Sequence, residues 1–154
     1  MISPQDLGRF FENKVHEMLE RYLRNTNILR EKDVKSNYGV HNSAVDHLLI
    51  TYNTIICIQS KWENSAATLS KVNHFLMTVN NIAMSKFKDQ TIGAIYLSKL
   101  PITKNAKVAL DANIIETINV HDTNMDNIIE KLLTYIHFKY KMWSYDYDQN
   151  IIMR

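Results

Sequence analysis

Asp46 and the tripeptide Gln59-Ser60-Lys61 stand near the ends of two short apolar runs, Ala44 to Thr51 (AVDHLLIT) and Thr54 to Lys61 (TIICIQSK), with Tyr52-Asn53 between them. The runs are rich in β-branched and aliphatic residues and read as the two strands of a hairpin. If Tyr52 and Asn53 form a tight two-residue loop, antiparallel pairing sets Asp46 directly across from Gln59. Cross-strand partners share a sheet face at roughly 5 Å between β-carbons, and the strand period of two puts Lys61 on that face as well. The loop has no glycine, and a three-residue loop would shift the register by one. In the first register a carboxylate, an amide oxygen and an ammonium converge. Oxygen ligands suit a hard cation, Mg²⁺ or Mn²⁺, which polarises a phosphoryl oxygen and lowers the pKa of an attacking water. Asp46 is the natural metal ligand, Gln59 a weaker, uncharged one through its side-chain carbonyl, and Lys61 a charge that positions the water or offsets charge developing on phosphate.

Each residue also has a plainer explanation. Aspartate is disfavoured within strands, so Asp46 marks either a strand end or a function. Taken singly, Lys61 is a lysine leaving a sheet edge and Gln59 a strand-end amide; taken with Asp46, function is the better reading of both. Glu12 lies on the shoulder of an amphipathic helix whose core face is Leu7, Phe11, Val15, Met18 and Tyr22, alongside Leu19 and Leu23. A solvated glutamate and a site residue fit that position about equally.

The elements that must position these residues follow from punctuation and periodicity. Ser3-Pro4-Gln5-Asp6 is a helix start, and the first helix is predicted to run to about Arg24. Asn25 to Asp33 reads as turn, Val34 to Tyr38 as a first edge strand, and Gly39 to Ser43 as a loop leading into Asp46. After Lys61, the segment Trp62-Glu63-Asn64-Ser65 turns the chain into a helix with Leu69, Val72, Leu76, Val79 and Ala83 at helical spacing. Thr91 to Leu97 is a continuous apolar run, as in a strand buried on both faces, with Gly93 permitting close packing. Pro101 breaks the chain, Ile102 to Leu110 reads as a short helix, and Ile114 to Val120 as a last strand. Thr123 or Asn124 caps a final amphipathic helix carrying Ile128, Ile129, Leu132, Leu133 and Ile136. The result is an α/β chain, a central mixed sheet flanked by helices.

The 154 residues suffice for one domain with a substantial core, residues 1–154, and leave 138–154 as a C-terminal extension that interleaves lysines with aromatics (FKYKMWSYDY). That pattern suits packing or a dimer contact more than base stacking. Net charge of +2 permits phosphate binding without arguing for it. No run is apolar enough to span a bilayer and the N-terminus lacks a signal-peptide pattern, so no membrane partner is expected and an intracellular, cytoplasmic location is the default. Cys57, the single cysteine, reads as core. His16, His41, His47, His74, His121 and His137 show no zinc-ligand spacing, and His47 alternates with Asp46 onto the opposite sheet face. Three glycines make neither a P-loop nor a dinucleotide fingerprint.

Asp46 with Gln59-Ser60-Lys61, preceded by Phe11-Glu12 on a first helix, resembles the PD-(D/E)XK, or restriction-endonuclease-like, nucleases, and most of all the Mrr-type branch, in which Gln often opens the tripeptide. The helix LSKVNHFLMTV, the strand TIGAIYLS and the helix ITKNAKVAL follow in the order that this resemblance implies, from about Leu7 to Ile136. The sequence departs from the pattern in having Val45 where proline precedes the aspartate, and Gln59 in place of the commoner acid. The resemblance implies a restriction-endonuclease-like three-layer sandwich and a Mg²⁺- or Mn²⁺-dependent DNA endonuclease. Asp46, Gln59, Lys61 and Glu12 would be its catalytic residues, and Asp46 and Gln59 its metal ligands. It also implies that Asn42 and Ser43 lie beside the scissile phosphate, where a solvated turn is the plainer reading. Lys71, Lys86, Lys99, Lys104 and Lys107 are available for phosphate contacts, though each alone reads as a surface charge. Many Mrr-type enzymes carry a separate DNA-reading domain, for which this length leaves no room, so specificity is expected to be low or supplied by a separate subunit. Archaeal-type Holliday junction resolvases, which act as homodimers, are the enzymatic alternative. A degenerate nuclease fold that binds nucleic acid or serves assembly is the non-catalytic one.

Overall fold

The computed structural model describes residues 2–38, 44–85, 87 and 89–142, with no account of the side chains of Asn37 and Tyr38. The elements are α1 (Pro4–Tyr22), β1 (Asn27–Arg30), α2 (Glu31–Tyr38), β2 (His47–Ile50), β3 (Thr54–Lys61), α3 (Leu69–Met84), β4 (Thr91–Ser98), α4 (Lys104–Asp111), β5 (Thr117–His121) and α5 (Met125–Tyr140). Among the described residues they build one five-stranded sheet in the order β1-β2-β3-β4-β5. The β1/β2 and β2/β3 pairs are antiparallel, while β3/β4 and β4/β5 are parallel.

The parallel half requires crossovers, and α3 and α4 supply them. Both pack on one face, where Leu48, Ile55, Cys57, Ala94 and Tyr96 meet Val72, Phe75, Val79, Ala106 and Leu110. The alternate residues Leu49, Ile56, Ile58, Ile95 and Leu97 face α1 and α5 through Phe11, Val15, Leu19, Ile128, Leu132 and Ile136. This is a mixed sheet in a three-layer α/β sandwich, as the sequence predicted. Every residue of β3 but Lys61 is buried, as a strand covered on both faces requires.

The helix termini follow side-chain chemistry. Ser3 caps α1 by accepting from the Asp6 amide at 3.1 Å, Thr103 caps α4, and Asn124, rather than Thr123, caps α5 by accepting from Asn127. Gly93 lies against α5: a Cβ built there would fall 1.8 Å from the Tyr140 hydroxyl oxygen. Close packing is thus the reason for this glycine.

The segment before the hairpin corrects the sequence reading. Val34 to Tyr38, expected as an edge strand, belongs to helix α2, and the edge strand is Asn27–Arg30, within the stretch expected to be turn. The helix carries Glu31 and Asp33 in its first turn and Lys35 in its last, the charge order that the helix dipole favours, and Asp33 accepts from the Arg30 amide at 3.4 Å. Val34 alone of this helix's early residues is wholly buried, an anchor that one helical turn accommodates. The edge strand is four residues long, too short for an alternation to declare itself. The first helix also stops earlier than expected, at Tyr22, with Asn25 at φ 58° turning the chain toward β1. The last strand begins at Thr117, Ile114 being fully exposed.

Candidate active site

Hairpin register decides where Asp46 falls. His47 pairs with Ile58 and Ile50 with Ile55, so Tyr52-Asn53 is the two-residue loop, and the regular pairing ends one residue short of Asp46. The Asp46 amide donates at 2.9 Å to the carbonyl of Ile58, the residue that already pairs with His47, so the strand bulges at Asp46-His47 just before the formal start of β2. No glycine is needed because side chains tie the turn. The Thr51 hydroxyl accepts from the Thr54 amide at 3.0 Å, and Asn53 Oδ1 accepts from the hydroxyls of Thr51 and Thr54 at 3.3 and 3.0 Å.

The Asp46 side chain is only 7% exposed and is held from two directions. Its Oδ2 accepts from the Ser60 amide at 2.8 Å and the Ser60 hydroxyl at 3.0 Å. Gln59 brings the inner end of its amide to 3.2 Å from Asp46 Oδ1 and 2.9 Å from Oδ2, and also to the Ala44 carbonyl. Without a cation, only the amide nitrogen is compatible with those three oxygens, and it donates to them. A dication between them would favour the opposite flip, which brings the amide oxygen to the same place.

Glu12 projects from the third turn of α1 into a cleft of about 1010 Å³ that Asp46, Ser60 and Lys61 also line. The cleft therefore collects Asp46 and Lys61 from the hairpin and Glu12 from α1, with Gln59 against Asp46 but not lining the cleft. Burial, reinforced by the charge of Glu12 and opposed by the Ser60 hydrogen bonds and Lys61, pushes the Asp46 carboxyl up to about 7. Glu12 is raised as well, first by burial and then by Glu31. A buried carboxylate whose proton affinity is raised by a neighbouring acid is also drawn to a cation.

Several residues that share this site were missed in the sequence reading. Glu31, at the start of α2, and Arg9, one turn before Glu12, both line the cleft. Glu31 was hidden by the misplacement of the edge strand, whereas Arg9 precedes Glu12 by three residues and so was legible as a neighbour on one helix face. Ser60, the middle residue of the tripeptide, faces away from the Gln59 side and meets His47, whose Nε2 lies 3.2 Å from its Oγ. His47 in turn meets His16 of α1, with 3.2 Å between the two Nδ1 atoms. Burial, with the neighbouring His16 and Arg30, pulls His47 down to about 3, so its imidazole is neutral.

The lysines proposed for phosphate contacts divide by location. Lys71 pairs with Glu63 at 2.7 Å, and Lys99 bonds Asn64 at 2.7 Å and lies 5.6 Å over the Trp62 ring, all beside the cleft. Lys107 is committed to Asp111 on its own helix, and Lys104 opens α4. Lys86, Asn42 and Ser43 lie outside the described residues, as does the extension beyond Met142. Of its first part, Phe138 is 57% exposed, Tyr140 packs edge-on against Tyr135 and Lys139 pairs with Glu116.

Hard oxygen donors are what Mg²⁺ or Mn²⁺ requires, and the Asp46, Glu12 and Gln59 set fits it. Among the described residues no three His, Cys, Asp or Glu side chains close around a single point. Among the described residues, no helix is long and apolar enough to cross a membrane.

No protein-family model matches this sequence. No curated protein matches it either. Among solved structures, EndoMS in its complex with double-stranded DNA superposes with a TM-score of 0.52 at 15% identity, over 79% of this chain and 46% of that one. A repair endonuclease from Pyrococcus abyssi aligns at 18% identity with a TM-score of 0.45, over 79% of this chain and 48% of that one. The chain thus spans about half the length of these solved chains. At such identity the likeness to EndoMS is one of fold, a mixed five-stranded sheet flanked by helices.

Proposed function

We propose that this chain is a metal-dependent DNA endonuclease of the restriction-endonuclease-like, Mrr-type kind. The observation that carries the reading is the buried Asp46 carboxylate, locked by Ser60 and pushed up to about 7, facing a cleft with Glu12 and Lys61. The fold shared with EndoMS supports it.

Asp46 and Glu12 would hold Mg²⁺ or Mn²⁺, with the Gln59 amide oxygen as a third donor after its flip. The cation supplies Lewis-acid polarisation of a phosphoryl oxygen and lowers the pKa of water. Lys61, at the last residue of β3, brings an ammonium to the cleft, where it offsets charge on a phosphodiester and orients water for in-line attack. Arg9 and Lys99 are placed to engage flanking phosphates, contacts that set register on DNA without reading its sequence. A homodimer and a separate specificity subunit fit this reading.

One observation favours the non-catalytic alternative. In its donor orientation the Gln59 amide already bonds both Asp46 oxygens, so the side chain has hydrogen-bond partners without a cation. In that case the chain binds DNA or serves assembly.

The test is incubation with supercoiled plasmid and with a four-way junction, each in Mg²⁺, Mn²⁺ or EDTA, beside Asp46→Ala and Lys61→Ala. Metal-dependent cutting lost in both variants is the expected result. Preference for the junction would replace the Mrr-type reading with a Holliday junction resolvase-like one. DNA binding retained in EDTA with no cutting under any condition would establish the non-catalytic alternative.

A further inference from the structure

A line of polar side chains runs from the Asp46 carboxylate at the cleft to the buried side of α1, within a layer that is otherwise apolar. Ser60 Oγ lies 3.0 Å from Asp46 Oδ2, His47 Nε2 3.2 Å from Ser60 Oγ, and His16 Nδ1 3.2 Å from His47 Nδ1. His16 Nε2 lies 3.4 Å from Glu20 Oε1. His47 has no exposed surface, and His16 and Ser60 are 4% and 7% exposed. Their neighbours are Phe11, Val15, Leu19, Leu49 and Ile58.

The direction of this line follows from counting protons. Ser60 has a single hydroxyl proton, and the carboxylate that it touches can only accept, so the proton points to Asp46. Ser60 Oγ must then accept from His47, which places the His47 proton on Nε2. A neutral imidazole protonated there has a bare Nδ1, and it can only accept from His16 Nδ1–H. Each donor thus points toward Asp46, and reversing any one of them would leave two lone pairs or two protons facing each other in the core.

Burying two imidazoles and a hydroxyl beneath a helix costs more than packing aliphatic side chains of the same volume, unless every group is satisfied. Here Ser60 and His47 each have a partner at both ends, and the line terminates on a carboxylate that faces the cleft. With Oδ2 engaged by the Ser60 amide and hydroxyl, the carboxylate plane is fixed and Oδ1 is turned to the Gln59 side.

We propose that Ser60, His47 and His16 are positioning residues: a one-way hydrogen-bond line beneath α1 that fixes the orientation in which Asp46 presents its carboxylate to a divalent cation. The proposal rests on the nuclease reading for the cation, but not for the line itself. The residues that orient metal ligands commonly change metal affinity by about 10- to 100-fold when removed.

Two measurements on the full chain decide it. In long-range ¹H–¹⁵N spectra of the imidazoles, wild-type His47 is expected to carry its proton on Nε2 with Nδ1 bare, and Asp46→Ala, which removes the terminal acceptor, is expected to disturb that state. In Mn²⁺ titrations followed by electron paramagnetic resonance, Ser60→Ala and His47→Leu are each expected to weaken binding about 10-fold or more. The double variant should be little worse than either alone, because both cut one line. His47→Gln, whose amide nitrogen can still donate to Ser60, is expected to restore binding to within about 3-fold of wild type and controls for folding. A wild-type His47 protonated on Nδ1, or Mn²⁺ affinity unchanged by Ser60→Ala, would overturn the proposal. Wild-type protein that neither binds Mn²⁺ nor cuts DNA would instead sink the nuclease reading, and the His47 spectrum would then decide the line alone.

Discussion

At the scale of single residues, the central fact is a carboxylate that is costly to ionise in the absence of a cation. Asp46 has a folded-state pKa near 7, against an ordinary 3.8, so the folded chain holds that proton more tightly than the unfolded one does. Its contribution to stability is complete below about pH 4 and is lost as pH rises through about 7. His47, pulled down to about 3, contributes with the opposite slope, because the unfolded chain protonates it first as pH falls. Comparing wild type with Asp46→Asn cancels the histidine. In the metal-free protein, Asp46→Asn is expected to be more stable at pH 8 by on the order of 2–4 kcal/mol, with the gap closing toward pH 4. Thermal unfolding across that range in EDTA checks this; a gap independent of pH would mean that Asp46 ionises freely in the fold. Lys61→Ala makes a complementary prediction: kcat falls by about 100-fold or more while Mn²⁺ affinity stays within a few-fold, because the ammonium acts on the phosphate rather than on the metal. Single-turnover cleavage beside metal titration separates the two, and a parallel loss of Mn²⁺ binding would assign Lys61 to the metal site instead. Asp46, Gln59 and Lys61 were legible because they sit together on one hairpin, and Glu12 through the family resemblance of its place on the first helix. Ser60, His47 and His16 were not legible as a unit, because their contact depends on how α1 packs on the sheet.

At the scale of elements, strong periodicity translated into structure and short segments did not. The stripe from Leu69 to Ala83, the apolar run of β4 and the capped start of α1 all appear close to where the sequence placed them. Residues 25–38 were misread because four strand residues and one buried valine carry almost no pattern, and because the helix is declared by its charge order. That misreading hid Glu31 from the site. Gly93 shows what close packing between elements requires. Gly93→Ala places a methyl group against the Tyr140 ring and is expected to destabilise by about 1–3 kcal/mol. Combining it with Tyr140→Leu should recover part of that loss. Chemical denaturation of the single and double variants tests this coupling, and strict additivity would show that the ring is not the obstacle.

At the scale of the whole molecule, net charge of +2 gives no strong field for DNA, so the proposed function requires a local group of cations. Arg9 and Lys61 at the cleft and Lys99 over Trp62 form such a group. Three phosphate contacts imply a slope of about −3 in the logarithm of duplex affinity against the logarithm of salt concentration. Fluorescence anisotropy at several salt concentrations measures it, and a slope of −6 or steeper would place the main phosphate contacts elsewhere on the surface. The sandwich shared with EndoMS is a likeness of fold, and the proposed function assigns the chemistry to Asp46, Glu12, Gln59 and Lys61. The most direct test of that chemistry is the nicking of supercoiled plasmid as Mg²⁺ is titrated from zero, for wild type and for Asp46→Asn. Saturable, Mg²⁺-dependent nicking by wild type, and none by an Asp46→Asn protein that remains folded and still binds duplex, is the expected result. Equal nicking by both would show that Asp46 is not the centre of the site.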